Sequence, residues 1–179
     1  MSAENFQASL KLLLASEGGN DDDPSDHGGR TSRGITQREY DAWRSEKRLF
    51  KLDVWKASDQ DVGDIYYSEY WQPWCDLIPV GTDYMFFDMC VNAGPTRAII
   101  LGQRALGVTA DGRVGAVTRT TFRAAMTAPR DLAKKYADEK ESFYRSLHQP
   151  KFLRGWLIRN KRVLGDALTM IQTPKGDTA

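Results

Sequence analysis

Apolar residues recur along most of this chain at intervals of three and four, which aligns their side chains on one face of an α-helix. The first such run places Phe6, Leu10, Leu13 and Leu14 on one face. No strand pattern is convincing, apart from a small hairpin around residues 31–36. The pattern predicts a mainly α-helical chain. Its helices are expected from about residue 3 or 4 to Glu17, and over residues 37–48, 58–70, 82–94, 95–106, 128–147 and 152–171.

One predicted helix, residues 82–94, is apolar nearly all round. A helix without a polar face is typical of the centre of a core, so this one is expected to be the central buried helix. Asn92 stands at its end and is a candidate substrate-binding residue if it reaches a cleft. The alternative is that Asn92 only caps the turn.

Glu17 continues the apolar face of the first helix, and Gly18 and Gly19 then end that helix. Partial burial and the negative end of the helix dipole both raise the pKa of a carboxyl group in this position. A glutamic acid that keeps its proton near neutral pH is suited to general acid catalysis. The competing interpretation is a solvated surface charge, the common state of Glu in a last helical turn.

A loop rich in Gly, Asp and Ser follows, over residues 20–36. Such a loop builds little core and is a favourable place for a functional site. If the chain doubles back at its glycines, Asp26 and Thr31 face Glu17 across a cleft. The Asp26 carboxylate would hold water or stabilise a cationic transition state, and the Thr31 hydroxyl would orient that water. The spacing of Asp21, Asp26 and Ser32 does not fit an EF-hand, so no metal site is predicted.

These residues resemble glycoside hydrolase family 108, which consists of phage-type endolysins and related bacterial N-acetylmuramidases. The resemblance is carried by Glu17-Gly18-Gly19, Asp23-Pro24, Asp26, Gly28-Gly29, Thr31 and Gly34-Ile35-Thr36. It implies a lysozyme-like helical fold that cleaves the glycan strands of peptidoglycan, with Glu17 as the catalytic acid. Roles for Asp26 and Thr31 come from analogy with the wider lysozyme arrangement. The chain departs from the family at Asn20, where an aromatic residue is common, and at Asp22, where Asn is common.

A second motif follows the helix that ends near residue 106. Leu106-Gly107, Asp111-Gly112 and Gly115 with Val117-Thr118 resemble the pattern of peptidoglycan-binding modules, although Ala116 replaces the usual Pro. The glycines would also suit an ordinary tight turn. The resemblance implies a catalytic part over residues 1–93 and a peptidoglycan-binding-like part over 94–172, packed into one globule. Residues 173–179 are expected to form a flexible tail.

Aromatic residues are concentrated between residues 66 and 74. Aromatic rings stack on sugar faces, so this cluster either lines a glycan groove or packs in the core. Trp71 is the member predicted to be exposed and to bind substrate.

Composition limits the classes of protein to which this chain can belong. Apolar residues make up 41% of 179 residues, enough for a packed core. No run approaches the roughly 20 apolar residues of a membrane span, and the early Glu4 does not fit a signal peptide. Cys75 and Cys90 lie beside apolar residues and are interpreted as buried free thiols, with a disulfide left open. The expectation is synthesis in the cytoplasm and action on the cell wall, reached through a membrane-permeabilising, holin-type partner.

Charge is divided unevenly along the chain. Residues 1–90 hold nine Lys and Arg against 17 Asp and Glu, whereas residues 91–179 hold 16 against seven. The basic half either holds the enzyme near anionic wall or lipid, or only attracts the acidic half. The basic helix over 152–171 likewise either lies on an anionic membrane or packs its apolar face on the core. No recognised nucleic-acid motif accompanies the charge, so nucleic acid is not an expected partner.

The sequence therefore predicts a monomeric, endolysin-type muramidase that needs no cofactor. Its reaction would be hydrolysis of the β-1,4 bond between N-acetylmuramic acid and N-acetylglucosamine, with Glu17 as general acid. Two rivals stay open. One is a lytic transglycosylase that uses the same acid, and the other is a wall-binding or secretion-accessory protein without catalysis.

Overall fold

The computed structural model describes residues 2–15, 20–21 and 30–172 of the chain. These residues form eight α-helices and three two-residue strands. The helices are α1 (Ser2–Leu14), α2 (Gln37–Glu46), α3 (Asp59–Tyr66), α4 (Thr82–Ala93), α5 (Pro95–Leu106), α6 (Ala116–Ala124), α7 (Pro129–Ser146) and α8 (Pro150–Gln172). The strands are β1 (Asn20–Asp21), β2 (Thr31–Ser32) and β3 (Ile35–Thr36), and they pair antiparallel in the order β1-β2-β3. The predicted mainly α-helical class is confirmed, with a three-stranded sheet in place of a lone hairpin.

Two helix ends differ from the sequence prediction. The α1 helix ends at Leu14, and the Ala15 N–H still donates to the Lys11 carbonyl oxygen at 3.1 Å. Glu17, predicted as the last residue of this helix, lies outside the described residues. The α3 helix gives way at Tyr67 to a π-helical turn, Tyr67–Trp71. Other helical turns lie at Val54–Lys56, Cys75–Leu77 and Ala125–Thr127.

The chain packs as two compact units, Phe6–Gln72 and Met1–Asn5 with Pro73–Ala179. We refer to them as the N-terminal and C-terminal units. This division by packing falls at Gln72–Pro73. The predicted division into a catalytic and a wall-binding part at residues 93–94 concerns function and stays a prediction, and the predicted tail over 173–179 lies outside the described residues.

Trp71 belongs to the core of the N-terminal unit, so the prediction that it is exposed is wrong. Its side chain is 0% exposed, and its ring meets that of Phe6 edge-to-face at 5.5 Å between centroids. Tyr67 contacts Phe6 in the same way at 5.1 Å. Because the π-helical turn carries Tyr67 and Trp71 to the same apolar residue of α1, the aromatic cluster is used for packing here.

The C-terminal unit is built around α4, and the prediction of a central buried helix is confirmed. Every residue from Thr82 to Cys90 is buried, and α4 packs against α5, α7 and α8. Gly81 precedes the helix with a φ of 84°, and a Cβ atom there would lie 2.6 Å from the Ala167 carbonyl oxygen. Only glycine therefore permits both this backbone conformation and the close approach of α8.

The α8 helix packs one face against the core, which is one of the two alternatives predicted from the sequence. Asn160, Val163 and Ala167 are buried, whereas Lys151 and Arg154 are exposed. The two cysteines, Cys75 and Cys90, are buried and free, which confirms the interpretation as thiols without a disulfide.

Three charged side chains meet in the interior of the C-terminal unit. The Lys140 Nζ atom of α7 donates to Asp88 Oδ2 of α4 at 2.7 Å, and Arg159 of α8 donates from Nε to Asp88 Oδ1 at 2.9 Å. Lys140 is 0% exposed. Burial raises the pKa of Asp88, but the two cations outweigh it and hold that pKa below its ordinary value. The three helices are thus joined through one carboxylate.

Asp83 is a second buried carboxyl group, in the first turn of α4. Its Oδ1 atom accepts hydrogen bonds from the backbone N–H groups of Gly81 at 2.8 Å and Tyr84 at 2.7 Å. Its Oδ2 atom accepts from Asn5 Nδ2 at 2.8 Å. Burial is the largest influence on its pKa and raises it to about 6, although the hydrogen bonds that it accepts lower it.

We expect Lys140→Met to lower the free energy of unfolding by about 3 kcal/mol, because it leaves part of the buried Asp88 charge uncompensated. Chemical denaturation followed by circular dichroism measures the loss. Arg145→Gln is the matched control, since it removes the exposed Glu141–Arg145 pair and should cost under about 0.5 kcal/mol. Equal losses for the two variants would contradict the prediction.

We also expect Asp83 to contribute a decline in the free energy of unfolding as the pH rises from about 4 to about 6. The folded pKa of Asp83 lies above its ordinary value of 3.8, so the folded state binds the proton more tightly and loses this advantage as the group ionises. Denaturation at pH 4 and pH 7 measures the effect. The Asp83→Asn variant, which keeps Oδ1 for both backbone donors, should lack this part of the pH dependence. A wild-type and variant pair with parallel pH profiles would refute the assignment.

Candidate active site

Of the predicted catalytic residues, the structure describes Thr31, while Glu17 and Asp26 lie outside the described residues. Thr31 is the first residue of β2, the middle strand of the sheet. Its Cα pairs with Asp21 of β1 on one side and with Thr36 of β3 on the other. The sheet therefore fixes the backbone of Thr31 between two strands. The chain that enters β1 comes directly from the Glu17 segment.

The turn between β2 and β3 is a two-residue turn, Arg33-Gly34, with φ angles of 51° and 82°. Positive φ at both central residues is the geometry that suits a tight hairpin, and Gly34 adopts it without strain. The Arg33 guanidinium donates to Asp59 Oδ1 and to the Ala57 carbonyl oxygen, both at 2.5 Å. The Tyr66 hydroxyl donates to the Arg33 carbonyl oxygen at 2.8 Å. These contacts anchor the hairpin, and Thr31 with it, to α3.

A tryptophan that sequence reasoning missed lies beside Thr31. The Trp55 Nε1–H group donates to the Thr31 carbonyl oxygen at 3.0 Å, and the Trp55 ring stays 40% exposed. The Arg30 guanidinium lies over this ring, 4.3 Å from its centroid, and forms an ion pair with Asp53. Asp53 Oδ1 in turn accepts from the Trp55 backbone N–H at 3.0 Å. Residues 47–57 show neither a helical nor a strand period. The sequence feature that marks this place is Trp55, two residues after Asp53, which caps a short helical turn.

An open hollow of about 330 Å³ adjoins Asp53. Its lining residues are Gln37, Asp41, Lys51, Leu52 and Asp53. The Gln37 amide organises the hollow: Nε2 donates to Asp41 Oδ1 and to the Leu52 carbonyl oxygen at 2.9 Å, and Oε1 accepts from the Val54 N–H at 2.8 Å. Hydrogen bonds from Gln37 and Lys51 lower the pKa of Asp41. The wall of the hollow is therefore polar and held in place.

Asn92, the other candidate substrate-binding residue, lies in the C-terminal unit. It is exposed at the end of α4, and its Nδ2 atom donates to the Asp88 carbonyl oxygen at 2.6 Å. That bond runs back along the helix to the carbonyl group four residues earlier. A role for Asn92 in binding substrate stays a prediction.

The glycine-rich segment after α5 is organised by one buried amide, that of Gln103. Its Nε2 atom donates to Asp111 Oδ1 at 2.8 Å, to the Arg113 carbonyl oxygen at 2.9 Å and to Thr118 Oγ1 at 3.2 Å. Its Oε1 atom accepts from the Gly112 N–H at 2.9 Å. The Asp-Gly and Gly-Thr parts of the motif therefore converge on Gln103 and hold the loop in shape.

Comparisons with known proteins give two family matches, one for each of two segments of the chain. Residues 10–94 match the family Glycosyl hydrolase 108, and residues 97–161 match the family Predicted Peptidoglycan domain. Twelve chains of solved structures match as well. One of them, the structure of Brucella abortus SagA, is 29% identical, with a TM-score of 0.79, and the match covers 96% of this chain and 98% of that chain. No curated protein matches.

Residues 10–94 belong to the glycosyl hydrolase 108 family. That match supports a glycoside hydrolase, and the match of residues 97–161 supports peptidoglycan as its substrate. The family match runs through α1, the sheet, α2, α3 and α4. Thr31, Arg30 and Trp55 thus lie in the segment shared with the glycosyl hydrolase 108 family. The Gln103 loop lies in the segment shared with the peptidoglycan domain.

Among the described residues, no group of three or more His, Cys, Asp or Glu side chains is placed to hold a metal ion. Within residues 2–15 and 30–172, no helix has both the length and the apolar character that crossing a bilayer requires.

We expect Gln103→Leu to lower the free energy of unfolding by about 2–3 kcal/mol. The change leaves the Gly112 N–H and the Asp111 carboxylate without their buried partner. Gln149→Leu, at an exposed position of the same unit, is the control and should stay within about 0.5 kcal/mol of wild type. Thermal unfolding measures both. If Gln103→Leu melts like the control, the loop does not depend on this amide.

Proposed function

We propose that this protein is a muramidase that hydrolyses the β-1,4 bond between N-acetylmuramic acid and N-acetylglucosamine. Glu17 is the proposed general acid, and Asp26 and Thr31 are its proposed helpers. The observation that carries the proposal is the glycosyl hydrolase 108 match over residues 10–94, which includes all three residues. The peptidoglycan-domain match over residues 97–161 supports the choice of polymer.

The position of Glu17 in the chain supports its role. It comes three residues after α1 ends at Leu14 and three residues before β1 begins at Asn20. The negative end of the α1 dipole disfavours an ionised carboxylate nearby, and so favours the protonated form that an acid needs. The pairing of Asp21 with Thr31 ties the two flanks of the site together.

In the proposed reaction, Glu17 transfers its proton to the glycosidic oxygen as the bond breaks, and positive charge develops on the sugar ring. The Asp26 carboxylate stabilises that charge or positions the attacking water, and the Thr31 hydroxyl orients the water. The separation of the two carboxyl groups determines whether the anomeric configuration is retained or inverted.

The biological role that we propose is that of an endolysin, a monomer that reaches the wall through a holin-type partner. The support is the resemblance of the Glu17–Thr36 segment to phage-type endolysins. The matching SagA structure comes from a bacterium, so that match does not favour a phage source. Expression with and without a pore-forming protein tests the role, because an endolysin lyses its host only when the pore is present.

We expect Glu17→Gln to reduce the clearing of outer-membrane-stripped bacteria by at least about 100-fold, since amide and carboxylic acid differ little in size but the amide donates no proton. Turbidity measures the rate, and mass spectrometry identifies the products. Reducing ends support hydrolysis, whereas anhydro ends would show a lytic transglycosylase.

The matched control is Glu46→Gln, which removes the same group from an exposed position of α2. It should keep the wild-type rate, and both variants should unfold at the wild-type temperature. A Glu17→Gln protein that clears cells normally would exclude Glu17 from the mechanism. A wild-type protein that sediments with walls but never clears them would favour a wall-binding protein without catalysis.

A further inference from the structure

We propose that one face of α8 is a docking surface for an anionic phospholipid bilayer, on which the helix lies parallel to the membrane plane. The face that α8 packs against the core is a different one, with Asn160, Val163 and Ala167 as its buried positions. The docking face consists of the residues that line a hollow along the helix: Pro150, Leu153, Arg154, Leu157, Ile158 and Lys161.

The docking face is continuous and partly apolar. Its positions follow one another at intervals of three and four residues or are adjacent, which places them on one side of the helix. The hollow that they line is open and measures about 560 Å³. Leu153 and Leu157 are half-buried along it, whereas Ile158 is 59% exposed. Ile158 therefore gains free energy when it enters an apolar phase.

Two cations of the docking face are open to an anion. Arg154 and Lys161 are both exposed, and neither forms an ion pair with a described residue. No acidic side chain is among the described residues that line the hollow. Arg159, in contrast, is already bound to Asp88. The long stems of Arg and Lys can lie along an apolar surface while their charged ends reach the phosphate groups above it.

The charge of one sign extends along the helix beyond the hollow. Between residues 150 and 165, α8 carries five cations and no acidic residue. Four of the five are exposed: Lys151, Arg154, Lys161 and Arg162. These four span eleven residues, a rise of about 16 Å along the helix. An anionic membrane attracts each cation that lies near its surface, so such a row binds through the sum of several weak attractions.

A bilayer accounts for the apolar and the basic residues together. It presents phosphate groups at its surface and hydrocarbon directly beneath them, and a helix that lies in the interface uses both. A polysaccharide or a nucleic acid has no hydrocarbon phase for Ile158 to enter. A second copy of the same face would bring Arg154 and Lys161 against identical cations, which repel.

Vesicle sedimentation with the full chain is the first test. Vesicles of phosphatidylcholine with about 30% phosphatidylglycerol should bind the protein, and vesicles of phosphatidylcholine alone should not. Raising NaCl to about 0.5 M should release the protein, because salt screens the attraction between exposed charges. Equal binding to the two kinds of vesicle, or binding to neither, overturns the proposal.

Charge variants assign the binding to α8. Arg154→Gln combined with Lys161→Gln should weaken binding to the anionic vesicles about 25-fold, because each cation near such a surface contributes about fivefold. Arg123→Gln combined with Arg130→Gln removes the same net charge from exposed positions of the same unit. This control pair should stay within about threefold of wild type, since only the long-range attraction changes. Equal losses in the two pairs would show that net charge alone drives binding, and would overturn the proposal.

A fluorophore then reports which face enters the membrane. An environment-sensitive dye attached to an Ile158→Cys variant should shift its emission to shorter wavelength when anionic vesicles are added. The same dye on Ala124→Cys, at an exposed position of α6, should not shift. Cys75 and Cys90 are buried, so they stay unlabelled in the folded protein. A dye at position 158 that remains in water while the protein binds vesicles would refute docking through this face.

Every substitution in these tests is at an exposed position, and thermal unfolding checks that the variants keep the wild-type stability. If Arg154→Gln combined with Lys161→Gln does not fold, the dye and the dependence on lipid charge decide the matter. Vesicle binding is measured without a glycan substrate. Its outcome is therefore independent of whether Glu17 is the catalytic acid.

Discussion

The C-terminal unit depends on one enclosed carboxylate. Asp88 sits on the most buried helix of the unit and receives a cation from each of two other helices, Lys140 and Arg159. Because an unpaired charge in this position would be costly, arrangements of α4, α7 and α8 that separate these three groups are disfavoured.

In the N-terminal unit, hydrogen bonds between short segments hold the chain in one conformation. Its strands are only two residues long, so pairing alone would stabilise them weakly. The Arg33-Gly34 turn is therefore supported by side chains of α3 and its cap, and Thr36 begins α2 with a reciprocal capping box with Glu39. The backbone from Thr31 to Thr36 is therefore held from several sides.

Helices could be predicted from the sequence because their apolar spacing is a local property, and Pro95–Leu106 begins and ends as expected. The burial of Trp71 could not be predicted in this way. A tryptophan in an aromatic run gives the same sequence pattern whether it is exposed to solvent or packs against Phe6. Trp55 was missed for the converse reason: its importance comes from Arg30 and Thr31, which are distant in the chain. Glu17 and Asp26 lie within the segment that matches the glycosyl hydrolase 108 family, but outside the described residues.

Lys140 offers a practical consequence. Its amine is fully enclosed and bound to Asp88, whereas most lysines of this chain lie at the surface. Reagents that acylate amines need an accessible nitrogen, so we expect Lys140 to react only after this part of the unit opens. Its acylation rate, measured by peptide mass spectrometry, would report the opening of this unit on the wall or in a crude lysate.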